Sequence, residues 1–106
     1  MAVNTKLYIS EYSHLATDAA GNVIAAGREP AIAEQDVDIG GTSDASAALN
    51  AETRFVRVHA DVACNILFGA NPTATVDIKH LEAGVTEFFG VQAGQSIKIA
   101  VIAEAT

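Results

Sequence analysis

The chain has 106 residues, half of them hydrophobic and 18% charged. It is too apolar to stay disordered and is of the size that builds one core, so residues 1–106 are expected to form a single domain. Its net charge of −7 sits mostly in residues 1–53, where eight acids face only Lys6 and Arg28. Without a cluster of Lys or Arg to follow a phosphate backbone, nucleic acid is not an expected partner; an acidic surface suits solubility or a basic protein.

The apolar residues are mainly Ala, Val and Ile, with no Trp, two Tyr and four Phe. Such side chains fit sheet faces better than a deep aromatic pocket. Cys64 is the one cysteine, so no internal disulfide can form. It lies in an apolar run with no nearby base, the setting of a buried structural thiol. No apolar stretch reaches the ~20 residues of a membrane span, and the N-terminus lacks a signal-peptide core. A membrane is not expected as a partner, and synthesis in a reducing cytoplasm is.

In chain order, Lys6–Tyr12 alternates, with Leu7 and Ile9 on one side and Lys6, Tyr8 and Ser10 on the other, the period of a half-buried strand. Asp18–Asn22 reads as a turn, and Val23–Ala26 as a hairpin arm pairing back. Pro30 blocks a helix. From Ala31 to Ile39 the odd positions face one way, while Glu34, Asp36 and Asp38 give the strand an acidic outer face. Gly40-Gly41 ends it. Ser43–Asn50 fits one helical turn or a strand, with strand or irregular structure preferred.

The strongest pattern runs from Arg54 to Gly69, where Val56, Val58, Ala60, Val62, Cys64, Ile66 and Phe68 occupy every even position. One straight strand of that length would span about 50 Å, against roughly 30 to 35 Å for a domain of this size. It must therefore break, with Ala60-Asp61 the expected corner, giving either a hairpin or a strand that crosses between sheets. A turn at Gly69–Pro72 precedes an expected strand over Ala74–Lys79. Turns at Glu82–Gly84 and Ala93–Gln95 bracket a strand over Val85–Val91, and Ile97–Ala103, apolar on both faces, reads as a central strand. Seven or eight short strands predict an all-β fold: a single-domain antiparallel β-sandwich, jelly-roll-like.

No catalytic constellation is legible. His14, His59 and His80 are far apart in sequence. His59 and Asp61, ~6.5 Å apart if on one strand, would need further metal ligands that do not accompany them. No serine sits in a glycine-flanked elbow, and Gly40-Gly41 lacks the Lys-Ser or Lys-Thr of a phosphate loop. Asp36 and Asp38 read as a hydrated stripe rather than an acid–base pair. The chain is accordingly read as a non-enzyme with no catalytic residue, metal or cofactor.

Three segments carry a resemblance: Thr53-Arg-Phe-Val-Arg-Val-His-Ala-Asp61, Phe68-Gly-Ala-Asn-Pro-Thr-Ala-Thr75, and Glu87-Phe-Phe-Gly-Val-Gln-Ala-Gly-Gln-Ser-Ile-Lys-Ile-Ala-Val101. Together with the opening Lys6–Tyr12, they resemble small virion proteins of tailed bacteriophages, over about half the chain. The resemblance implies a capsid cement, staple or decoration protein. Such a protein is made in the host cytoplasm and incorporated in the virion, where it bridges subunits of the major capsid protein as a dimer or trimer. The acidic strand Glu34, Asp36, Asp38 or the adjacent rings of Phe88 and Phe89 are then expected in a contact surface. The alternatives are a head–tail connector or tail part, and a ligand- or carbohydrate-binding β-domain.

Overall fold

The computed structural model describes residues 5–104, and among these there is no helix. The strands are β1 (Lys6–Tyr12), β2 (Leu15–Thr17), β3 (Val23–Gly27), β4 (Ala33–Asp38), β5 (Asp44–Ala45), β6 (Phe55–Ala60), β7 (Cys64–Gly69), β8 (His80–Leu81), β9 (Thr86–Gly90) and β10 (Lys98–Ala103). They form a first sheet ordered β4-β1-β6-β9, a second ordered β5-β10-β7-β8, and a two-stranded hairpin, β2-β3. All pairings are antiparallel.

Alternation decides which side of each strand is buried. Leu7 and Ile9 of β1, Val37 of β4, and Val56, Val58 and Ala60 of β6 meet Cys64 and Ile66 of β7, Leu81 of β8, and Ile99 and Val101 of β10 in one cluster. Both four-stranded sheets thus feed the same core, whose fully buried members are aliphatic or Cys64. At about 25 cal/mol per Å2 of apolar surface removed from water, this burial is the main favourable term in folding.

The long alternating run breaks where length required. β6 ends at Ala60 and β7 begins at Cys64 in the other sheet, so the chain crosses between sheets rather than forming a hairpin. Asp61 pins the corner: its carboxylate accepts the Lys6 backbone N–H at 3.0 Å, and its own N–H donates to the Lys6 carbonyl at 3.1 Å. The expected strand over Ala74–Lys79 does not form. Of its apolar positions only Ala74 is buried, Val76 is exposed, and pairing with β7 is confined to His80 and Leu81. Side chains occupy the place of a ladder there, with Asn65 Nδ2 donating to the Ile78 carbonyl and the Ala74 N–H donating to Ser43 Oγ, each at 2.8 Å.

Residues 46–53 are irregular and held by side chains. Glu11, on the inward side of β1 and 2% exposed, accepts the Asn50 N–H at 2.7 Å, the Thr53 hydroxyl at 2.8 Å and Gln35 Nε2 at 3.2 Å. Gln35 Oε1 in turn accepts the Ala47 N–H at 2.9 Å. A buried carboxylate is tolerated when its lone pairs are satisfied, and among the described residues no buried side-chain nitrogen or oxygen lacks a partner.

Hairpin β2-β3 stands off the core. No residue of either strand is buried, and Leu15, Val23 and Ile24 are exposed. The Asp18 carboxylate closes its tip, accepting the N–H groups of Asn22 and Ala20, and these bonds, that of Asn22 foremost, hold it below its ordinary value. At its base Gly27 lies flat on the Tyr12 ring, where a Cβ would come within 2.5 Å of Tyr12 Cδ1.

Candidate interaction surface

The outward side of the first sheet carries a side-chain set unlike the core. β4 contributes Glu34, Asp36 and Asp38; β1 contributes Lys6, Tyr8, Ser10 and Tyr12; β6 contributes Phe55, Arg57 and His59; β9 contributes Thr86 and Phe88. Register aligns them in rows across the strands: Asp36–Tyr8–His59–Thr86, and Glu34–Ser10–Arg57–Phe88. Four of the chain's six aromatic residues therefore lie on this side of one sheet. Tyr12 stacks on Phe55 with ring centroids 5.3 Å apart, Phe55 lies 6.5 Å from Phe88, and Tyr8 lies 6.3 Å from His59.

The hairpin turns one end of this face into a groove. Leu15, Ala25, Ala26 and Gly27 stand opposite Phe55, Phe88, Phe89 and Gly90, enclosing about 390 Å3 of mostly apolar lining. Tyr12 forms its inner hinge: the ring carries Gly27, and the hydroxyl donates to Glu29 Oε2 at 2.6 Å. Burial, reinforced by the Glu29 carboxylate, raises the phenol above its ordinary value of 10.0. An exposed Phe at a shallow apolar recess is of the kind that anchors protein–protein contacts.

The residues singled out from sequence separate into distinct settings. Glu34, Asp36 and Asp38 do line one exposed side of β4, at the sheet edge. They are not simply hydrated: Lys6 Nζ lies 3.2 Å from Asp36 and 2.8 Å from Asp38, and Ser10 Oγ donates to Glu34 at 3.2 Å. Those two aspartates raise the Lys6 amine above its ordinary value, Asp38 the more strongly. Phe88 and Phe89 point in opposite directions. Phe88 is 54% exposed on the outer face, whereas Phe89 turns inward, packs 5.2 Å from Phe68 and lies under Lys79 Nζ. The acidic strand and Phe88 share a face but stand at opposite edges of it, with β1 and β6 between them.

Tyr8, Tyr12, Phe55, Arg57 and the hairpin were not marked as contact residues by the sequence pattern. The signal was present, since these residues take the positions opposite the buried ones in β1 and β6. Alternation assigns them outward, but it does not say that the outward positions of two distant segments become neighbours.

The other candidates give no site. His59 Nδ1 is 2.7 Å from Thr86 Oγ1 and Asp61 is committed to the Lys6 N–H, so they do not form a ligand pair. His80 lies 3.3 Å from Glu82 and 3.4 Å from Glu104 on the surface. Among the described residues no group of three His, Cys, Asp or Glu is placed to hold a metal ion. Cys64 is fully buried, and burial pushes its thiol up to about 11. Among the described residues no helix is long and apolar enough to cross a membrane. Compared with family models, curated proteins and solved structures, the chain matches none.

Proposed function

We propose that this protein is a structural virion component that docks on a bacteriophage capsid and bridges subunits of the major capsid protein, as a cement or decoration protein without enzymatic activity. The observation that carries the docking role is the apolar groove between the projecting hairpin and the rings of Phe55 and Phe88, with Phe88 exposed, while the core cluster is made from aliphatic side chains and Cys64. Aromatic side chains concentrated outside a core imply a surface that is covered in use. The capsid as the covering assembly rests on the resemblance of Thr53–Asp61, Phe68–Thr75 and Glu87–Val101 to phage virion proteins.

A jelly-roll-like sandwich is the architecture we assign. Two four-stranded sheets share one core, and the chain places β4, β6 and β9 in one sheet while β5, β7, β8 and β10 lie in the other, an interleaving in keeping with two Greek keys. In this reading β1, the N-terminal strand, lies between β4 and β6. A rigid body of this kind presents a groove and an arm without a deep cleft.

Cosedimentation with purified capsids tests the function. The protein is expected to pellet in many copies per particle, and Phe88→Ser, which removes an exposed ring, is expected to weaken that association without unfolding the chain. A protein that never pellets with capsids overturns the reading; a dozen or fewer copies per particle indicates a connector or tail part. The half-exposed ring of Tyr8 beside Asp36 and His59 also favours a second reading, carbohydrate binding, since sugars stack on such rings between polar groups. Retention on immobilised glycans that is lost in Tyr8→Ala, with no capsid association, would establish it instead.

A further inference from the structure

We propose that the outer face over β4, β1 and β6 is covered by a second copy of this chain, the two related by a two-fold axis that runs along β1 in the plane between the facing sheets.

The argument is the order of charge across the strands. One row reads Glu34, Ser10, Arg57, an acid, a hydroxyl and a guanidinium across β4, β1 and β6; the next reads Asp36, Tyr8, His59, with an imidazole able to hydrogen-bond an acid at the β6 position. Neighbouring strands lie about 4.8 Å apart, so acid and base stand at equal distances on either side of β1. A two-fold axis along β1 keeps each residue at its height along the strand and exchanges the β4 side for the β6 side. Glu34 then faces Arg57 of the other copy twice over, Asp36 faces His59 twice over, and Tyr8 meets Tyr8. The face is complementary to itself, as an isologous contact requires.

Arg57 has a reason to seek such a partner. It is half-buried among Ser10, Phe88 and Tyr12, and among the described residues no carboxylate lies within ion-pair distance of it. A purely basic partner would leave Arg57 against like charge, and a purely acidic one would do the same to Glu34 and Asp36. A surface bearing both signs in mirrored order is needed, and this face is one. The third row, Asp38, Lys6 and Asp61, lacks the pattern; it lies at the strand ends, where the twist of two facing sheets carries rows apart.

β9 is the strand beyond β6, so an axis on β1 sets Phe88 at the flank of the overlap, and the hairpin, whose Gly27 lies on the Tyr12 ring, meets the covered face only at its Tyr12–Phe55 end, beyond the two charged rows. Three strands of six or so residues give a face of roughly 15 by 20 Å, about 600 Å2 over the two copies and below the size of standard specific interfaces, so a weak, transient dimer is expected.

Sedimentation equilibrium of the full chain tests this. The wild type is expected to approach twice the chain mass as concentration rises from about 0.1 to about 1 mM, with the dimer weakened by added salt. Arg57→Glu and Glu34→Arg are each expected to weaken association by more than roughly tenfold, because either change sets like charges face to face. The double variant with both changes reads base, Ser10, acid, which is again complementary to itself, and is expected to regain the dimer. A wild type that stays monomeric at ~1 mM, single variants that dimerise like the wild type, or a double variant that fails to recover while its circular dichroism is native, each overturns the proposal. Capsid cosedimentation is read separately: a dimer that does not bind capsids defeats the proposed function alone, and a capsid-binding monomer defeats this inference alone.

Discussion

The Glu11 carboxylate accepts the Thr53 hydroxyl at 2.8 Å in a region where the two residues are 2% and 1% exposed. They are 42 positions apart, and their contact closes the irregular segment 46–53 onto the first sheet. Backbone bonds from Ser46 N–H to the Ile99 carbonyl and from Leu49 N–H to the Ile97 carbonyl tie the segment's first half to the second sheet, and Glu11 with its donors ties its second half to the first.

Glu11→Ala leaves the Asn50 N–H and the Thr53 hydroxyl short of an acceptor inside the protein, while Gln35 Nε2 keeps only the Ala47 carbonyl. The expected loss of stability is about 3 kcal/mol, the scale for removing one member of a buried charged network. Urea denaturation followed by circular dichroism would measure it, and a loss below about 1 kcal/mol would mean that water reaches these donors.

Gly27 is set by close approach rather than by backbone conformation. A Cβ there meets Tyr12 Cδ1 at 2.5 Å, and the ring is held by its stack on Phe55 and its bond to Glu29. Gly27→Ala should cost about 1–3 kcal/mol, the range for overpacking, and should shift the hairpin. Gly41→Ala is the control, since a Cβ at Gly41 has nothing within 4 Å, and its melting temperature should stay near that of the wild type.

Burial raises the Cys64 thiol from its ordinary 9.0 to about 11. The folded protein therefore keeps this proton at pH values where the unfolded chain loses it. Stability is expected to be unaffected by the thiol below about pH 9 and to fall as pH rises from there toward 11. Cys64→Ala should flatten that decline in a series of denaturation curves. At pH 8 a thiol reagent should label Cys64 only after unfolding; rapid labelling of the native protein would contradict its burial.

Lys6 bridges Asp36 and Asp38 at the rim of the acidic strand. These groups are solvent-accessible, so Lys6→Met is expected to lower the melting temperature only slightly at low salt, and the difference should vanish at about 1 M salt. A loss that persists in high salt would show that the Lys6 methylenes, not its charge, matter.

Much of the fold was legible because alternation is a local property. β1, β4, β6 and β7 each declare which side chains go inward, the two-sided apolar run of β10 marks it as central, and the excess length of Arg54–Gly69 demanded the break that occurs at Ala60. The adjacency of Phe88 and Phe89 likewise required one ring to face away from the core. The expected strand at Ala74–Lys79 failed for the complementary reason. An alternating pattern makes a strand only where a neighbour offers an open edge in register, and here Ser43 and Asn65 engage the segment instead.

Residue order along the chain determined an all-β body with an aliphatic interior and an acidic β4, because the pleat assigns successive side chains to opposite faces whatever the topology. Strand order belonged to the tertiary structure. The pairing of β1 between β4 and β6 brings Glu34, Ser10 and Arg57 into one row, and the return of the hairpin lays Gly27 on Tyr12 and opens a groove against Phe55 and Phe88. Contacts between residues distant in the chain are decided by which edges pair and which faces cover one another, and no local period encodes that.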